Sequence, residues 1–173
     1  MTNPLPQRKS PRLKGYDYSQ SGAYFVTICC HQRVHLFGDV ADGEMMLDTL
    51  GCIVETCWDD LPNHYDNIRL DAFVVMPNHV HGIIFISGGD GVGEGLKPSP
   101  APTTTKRHGL TEIVRGLKNF SARKINQLRD TPGTAVWQRS FHDHIIRSEK
   151  SLNHLREYVE NNPARWQTDT FYA

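Results

Sequence analysis

Met76-Pro77-Asn78-His79-Val80-His81-Gly82-Ile83-Ile84-Phe85 places two histidines at the head of an apolar run, one on either side of a single valine. Pro77-Asn78 is turn chemistry and the residues before it, Ile68 to Met76, are also largely apolar. The stretch therefore reads as a hairpin, with one strand over 68–76 and a second over 79–86. Side chains alternate faces along a strand, so His79 and His81 share a face with Ile83 and Phe85 while Val80 and Ile84 point the other way. Two imidazoles then converge on one spot. Neutral imidazole is a common metal ligand, and a rigid pair supplies roughly half a coordination shell, leaving room for a further ligand, water and substrate.

Upstream, Ala23-Tyr24-Phe25-Val26-Thr27-Ile28-Cys29-Cys30 is rich in β-branched and aromatic residues and reads as a buried strand. Leu47, Leu50, Ile53, Val54, Cys57, Trp58 and Leu61 recur at helical spacing, and Pro62-Asn63 ends that helix. Downstream, Leu110, Ile113, Val114, Leu117, Phe120, Ile125 and Leu128 mark a second amphipathic helix whose other side carries Arg115, Lys118, Arg123 and Lys124. Residues 136–146 resemble a fourth strand. Ser148 is the N-cap expected for a last helix running to about Asn162, stopped by Pro163, with Leu152, Leu155 and Val159 as its core stripe and Tyr158 beside it. The order strand, helix, strand, strand, helix, strand, helix predicts an α+β fold of ferredoxin-like type: an antiparallel sheet with helices packed on it and an additional C-terminal helix carrying the tyrosine.

One domain over residues 1–173 is expected from the length, with a basic N-terminal arm over 1–15. Residues 87–107 hold five glycines, three prolines and a run of threonines, which predicts a flexible loop. No apolar run is long enough to cross a bilayer and the polar start lacks an export signal, so the expected location is cytoplasmic. The four cysteines have no metal-knuckle spacing and read as buried free thiols. Formal net charge is zero, but its distribution is uneven: Gly38 to Ala72 holds nine acidic residues against one basic, and Lys97 to Arg147 holds ten basic against three acidic. Such asymmetry puts a basic face on a neutral protein, as a phosphate backbone requires.

Three separated motifs occur in order: Pro77-Asn78-His79-Val80-His81-Gly82, then Trp137-Gln138-Arg139-Ser140-Phe141-His142-Asp143-His144, then Tyr158-Val159-Glu160-Asn161-Asn162-Pro163. Together with Tyr24-Phe25-Val26-Thr27, Leu36-Phe37-Gly38 and the Lys118 helix, they resemble the REP-associated tyrosine transposases, members of the HUH single-strand nucleases, over nearly the whole chain. The resemblance implies that His79 and His81 are metal ligands, that Tyr158 is the nucleophile, and that Asn162 completes the metal site, with Asn161 as the alternative ligand. It implies Mg²⁺ or Mn²⁺ as cofactor. The implied activity is cleavage and rejoining of single-stranded DNA beside hairpins of repeated extragenic palindromes, through a 5′-phosphotyrosine, in a nucleoid-associated monomer or homodimer. Arg115, Lys118 and Arg123, with Arg12 and Lys14 on the arm, are the candidate DNA contacts. Asp143, His144 and Arg147 recur in the family pattern without a role readable from the residues, and His154 stands one turn before Tyr158. Two other readings remain open at this level: a metallohydrolase in which the histidines activate water and Tyr158 only packs, and a nucleic-acid-binding module without catalysis.

Overall fold

The computed structural model describes Leu13, residues 15–87 and residues 107–172. Arg12, Lys14 and nearly all of the glycine- and proline-rich tract lie outside them. The described chain runs β1 (Gly22–Cys29), β2 (Gly38–Ala41), β3 (Glu44–Leu47), α1 (Thr49–Asp59), α2 (Leu61–His64), β4 (Ile68–Met76), β5 (His79–Ile86), α3 (Leu110–Leu128), β6 (His142–Ile146) and α4 (Glu149–Glu160), with 3-10 turns at His31–Arg33 and Pro163–Thr168. β1, β4, β5 and β6 form one sheet in the order β4-β5-β1-β6, each neighbouring pair antiparallel. This is the ferredoxin-like order expected from the sequence.

The two faces of the sheet have different partners. Tyr24, Val26 and Ile28 of β1 and Val80 and Ile84 of β5 pack with Val54 and Trp58 of α1 and Leu110, Ile113, Val114, Leu117 and Ile125 of α3 in one buried core. The register sets Thr27 beside His81 and Cys29 beside His79 on the other face, which α4 covers. Gly82 of β5 points into the core, where the Trp58 ring lies across it and stacks on Phe73 at 4.2 Å between centroids. A Cβ on Gly82 would run into that ring, with the Cζ2 and Cζ3 atoms 2.8 and 2.9 Å away. Trp58 is fully enclosed and cannot swing clear. Gly82→Ala is therefore expected to destabilise the fold by about 1–3 kcal/mol through overpacking, read as a lowered urea midpoint with an unchanged m-value.

The start of α4 is the one expected from the sequence, and both long capped helices begin at an acceptor side chain. Asp48 caps α1, its Oδ1 accepting from the Leu50 and Gly51 amides at 2.8 and 2.9 Å, and the Ser148 hydroxyl accepts from the Ser151 amide at the head of α4. Three expectations need correction. The helix expected over 47–61 is split into α1 and the short α2, and its first residue belongs to the β2–β3 hairpin. That hairpin turns on Asp42 and Gly43, both at positive φ. Of the strand expected over 136–146 only 142–146 joins the sheet, because Trp137 makes one isolated bridge to Cys30 and the carbonyls of Gln138 and Arg139 turn away to the Lys118 ammonium, at 2.6 and 3.0 Å. Of the four free thiols, Cys52 is exposed on α1 rather than buried.

Candidate active site

His79 and His81 are fully buried, and their Nε2 atoms face each other at 3.0 Å. The outer ring nitrogens are held from behind. The Asn78 Nδ2 amide donates to the Phe171 carbonyl at 2.8 Å, which leaves Asn78 Oδ1 as the acceptor for His79 Nδ1–H at 2.8 Å. His79 Nε2 then carries a lone pair. His81 Nδ1 lies 2.8 Å from the Thr27 hydroxyl across the β1–β5 ladder. With Nδ1–H donated there, the second Nε2 lone pair also points inward, and two lone pairs at this distance repel unless a proton or a cation lies between them.

Tyr158 extends from α4 to the same point, its hydroxyl 3.3 Å from His81 Nε2, and Phe25 stacks on the outer side of the His81 ring at 5.2 Å. Asn162 and Asp169 come from the chain beyond α4. The Asn162 Nδ2 amide donates to Asp169 Oδ2 at 2.9 Å, both residues act on the Tyr158 phenol, Asp169 raising its pKa and Asn162 lowering it, and Asp169 lies with the two histidines in a group whose ligand atoms fall within 4.8 Å of one another. Asn162 Oδ1 is buried with no hydrogen-bond partner among the described residues. Buried carbonyl oxygens are rarely left so. Two imidazole nitrogens and the Asp169 carboxylate form a mixed nitrogen and oxygen donor set that fits a divalent cation, with the Asn162 side chain bonded to that carboxylate.

Burial dominates the electrostatics. It lowers the His79 pKa to about 4, opposed by the Asp169 charge, and lowers that of His81 as well, with His79 adding to the effect. Both imidazoles are thus neutral and able to ligate at neutral pH. Burial also raises the Tyr158 pKa, and the Asp169 carboxylate raises it further. The phenol keeps its proton until a base or cation draws it off. Phe171 lies over both imidazoles, 4.7 and 5.7 Å between centroids, and Trp166 packs 5.9 Å from His79.

His79, His81, Tyr158 and Asn162 thus meet in one chain. Asn162 keeps helical φ and ψ in spite of Pro163 behind it. Asn161 is exposed and bonds back to the Glu157 carbonyl of its own helix, and His154 is exposed; neither is placed with the group. Asp169 escaped the sequence reading. The signal available was slight: it is the only acidic residue beyond Glu160.

Arg115 and Arg123 are exposed on α3, which packs on the sheet face opposite the histidines. Lys118 spends two of its protons on the carbonyls of 138 and 139. Arg115, Lys118 and Asn119 line a cavity of about 310 Å³ with Arg139 and Phe141. Asp143, His144 and Arg147 border another, of about 550 Å³, beside the head of α4. The strand register puts His144 next to Phe25 on the histidine face and Asp143 next to Val26 on the core face.

The four-stranded antiparallel sheet with its packed helices defines the fold class, and it is shared with a solved structure. That structure, a REP-associated tyrosine transposase bound to a REP hairpin, superposes with a TM-score of 0.60 at 19% identity, over 90% of this chain and 74% of that one. Another, a candidate transposase from Deinococcus radiodurans, gives a TM-score of 0.46 at 20% identity over 87% and 95%. The fold is that of the REP-associated tyrosine transposases. An uncharacterized protein of Haemophilus influenzae is 40% identical over 98% of this chain and 95% of its own length, and the chain belongs to one family with it. No family model matches. Among the described residues no helix is long and apolar enough to cross a membrane.

Proposed function

We propose that the chain is a metal-dependent transposase and endonuclease of single-stranded DNA, and that it cuts and rejoins strands through Tyr158. The observation that carries this reading is the 3.3 Å separation of the Tyr158 hydroxyl from His81 Nε2, reached within one chain. His79, His81 and an oxygen from Asn162 or Asp169 would hold Mg²⁺ or Mn²⁺. Such a cation stabilises the charge that builds on phosphoryl oxygens and orients the scissile group.

The chain's own groups do the rest. Asn78 and Thr27 lock the two imidazoles so that both Nε2 atoms face inward. The Asp169 carboxylate, grouped with the histidines and acting on the phenol, accepts its proton. The phenolic oxygen forms a bond to phosphorus as the bond from phosphorus to the 3′ oxygen breaks, and that oxygen takes a proton from water. The result is a 5′-phosphotyrosine and a free 3′ hydroxyl, and the same steps in reverse rejoin the strands without an external energy source.

Binding would rest on the basic surface. Arg115 and Arg139 are exposed, neither has a hydrogen-bond or ion-pair partner among the described residues, and both border the α3 cavity with Lys118. Arg123 extends the row along α3, and Arg12 and Lys14 would add contacts from the arm. The Arg115→Ala, Arg139→Ala double variant should weaken hairpin binding and lower the slope of log affinity against log salt by about 1.5, for two lost phosphate contacts. An unchanged slope would remove these arginines from the interface.

The enzymatic reading is tested by incubating the full chain with end-labelled DNA hairpins carrying single-stranded flanks, in Mn²⁺. The expected product is a protein–DNA adduct that survives SDS and disappears on protease treatment. A hairpin bound at nanomolar affinity yet never joined to protein, over a panel of flanking sequences, would leave a binding module instead.

A further inference from the structure

β4 carries one residue too many. Leu70 pairs with Ile84 and Phe73 with Gly82, so Asp71 and Ala72 together face Ile83 alone. Such a bulge bends the strand and re-aims a side chain. Ile83 shares its face with His79 and His81, and Asp71 is directed toward α4 on that side. There its carboxylate takes both arms of one guanidinium: Arg156 Nε donates to Oδ1 and Nη2 to Oδ2, each at 2.7 Å. The Ala72 amide donates to Oδ1 at 2.9 Å, and Arg156 Nη1 donates to Asn153 Oδ1 at 3.1 Å. A two-pronged pair of this kind sets orientation as well as distance.

α4 is otherwise lightly held, since Val159 is its only fully buried residue. Arg156 and Tyr158 are two positions apart, about 200° around the helix. They leave opposite flanks, with Leu152, Leu155 and Val159 beneath. Arg156 reaches β4 at the edge of the sheet. Tyr158 reaches His81 on β5 and packs against Phe25 on β1, 6.0 Å between centroids. The helix therefore lies across β5 as a lever, and any roll that lifts one flank lowers the other.

We infer that Asp71, through Arg156, is a positioning residue that fixes the roll of α4 and so sets the tyrosine hydroxyl against the histidine pair. The inference rests on the proposed use of Tyr158 as nucleophile. Asp71 touches neither the histidines nor Tyr158, so its effect is on aim alone, and displacements of about 1 Å in a reacting group can cost about 100-fold in rate.

The test compares the full chain with Asp71→Asn, Arg156→Lys and the exchanged pair Asp71→Arg, Arg156→Asp. Measured quantities are the single-turnover rate of adduct formation, hairpin affinity, Mn²⁺ affinity, and hydrogen exchange of the α4 amides. Each single variant is expected to slow adduct formation about 10- to 100-fold while both affinities stay within about twofold. The exchanged pair should recover part of the rate, and α4 amides should exchange faster in the single variants while those of α1 and α3 do not. Rates equal to the parent's, or a loss matched by an equal loss of hairpin affinity, would overturn the inference. Should the parent itself form no adduct, the nucleophile reading fails separately, and unaltered α4 exchange in both single variants would then refute the latch.

Discussion

Tyr158→Phe is expected to abolish both strand cleavage and the SDS-stable adduct, by more than about 10⁴-fold as for removal of an enzymatic nucleophile, and to leave hairpin binding intact. The substitution deletes one oxygen. Its hydroxyl has His81 Nε2 as partner at 3.3 Å, a long contact, so little stability goes with it. The ring keeps its packing against Phe25 and His81. Thermal unfolding should therefore move by only a degree or two, within the range for losing one weak hydrogen bond. The result separates the two enzymatic readings: an enzyme that activates water at the histidines would continue to cut, without an adduct, and cleavage by the phenylalanine variant would dismiss the tyrosine mechanism. Because burial and Asp169 raise the phenol's pKa, the parent's rate should climb with pH through the neutral range.

His81→Ala removes a proposed ligand and the partner of Tyr158 together, and is expected to lower Mn²⁺ affinity by more than about 100-fold, beyond the loss usual for an outer-shell residue. Titration calorimetry measures this without any DNA. Protons compete for the same lone pairs. Burial brings His79 down to about 4 and lowers His81 too, so Mn²⁺ binding should persist below pH 6 and fail as pH approaches 4. The sign for stability follows. Below about pH 6.5 the unfolded chain takes protons on both imidazoles while the folded chain does not, so stability is complete above that value and falls as pH drops toward 4. Added Mn²⁺ should steepen the fall, since it binds only the unprotonated, folded form. A urea midpoint independent of pH between 7 and 5 would contradict the burial of the pair, and unaltered Mn²⁺ binding by His81→Ala would place the cation elsewhere.

Much of this site was legible before the coordinates. Alternation along 79–86 put both imidazoles on one face because a strand's period of two leaves no choice, and the position of Tyr158 beside the core stripe of the last helix aimed it at the sheet. What escaped has common causes. β2 and β3 are four residues each, too short for a pattern to stand out from chance. The strand expected from 136 fails over its first half because a lysine from α3 claims its carbonyls, a contact between segments twenty residues apart. Asp169 lies in an irregular tail with no periodicity, and only the return of that tail over the hairpin brings it to the histidines.

Local chemistry alone, then, determined the elements that repeat: the hairpin, the amphipathic helices, the caps at Asp48 and Ser148, and the pairing of His79 with His81. Those are consequences of side-chain period and backbone donors, and need no distant partner. The tertiary structure decided everything that depends on two remote segments meeting: the approach of Tyr158 to His81, the orphaned oxygen of Asn162, the carboxylate of Asp169, and the grip of the bulged Asp71 on Arg156. Such contacts depend on how helix and tail settle on the sheet, a sum over the whole core that no window of sequence contains.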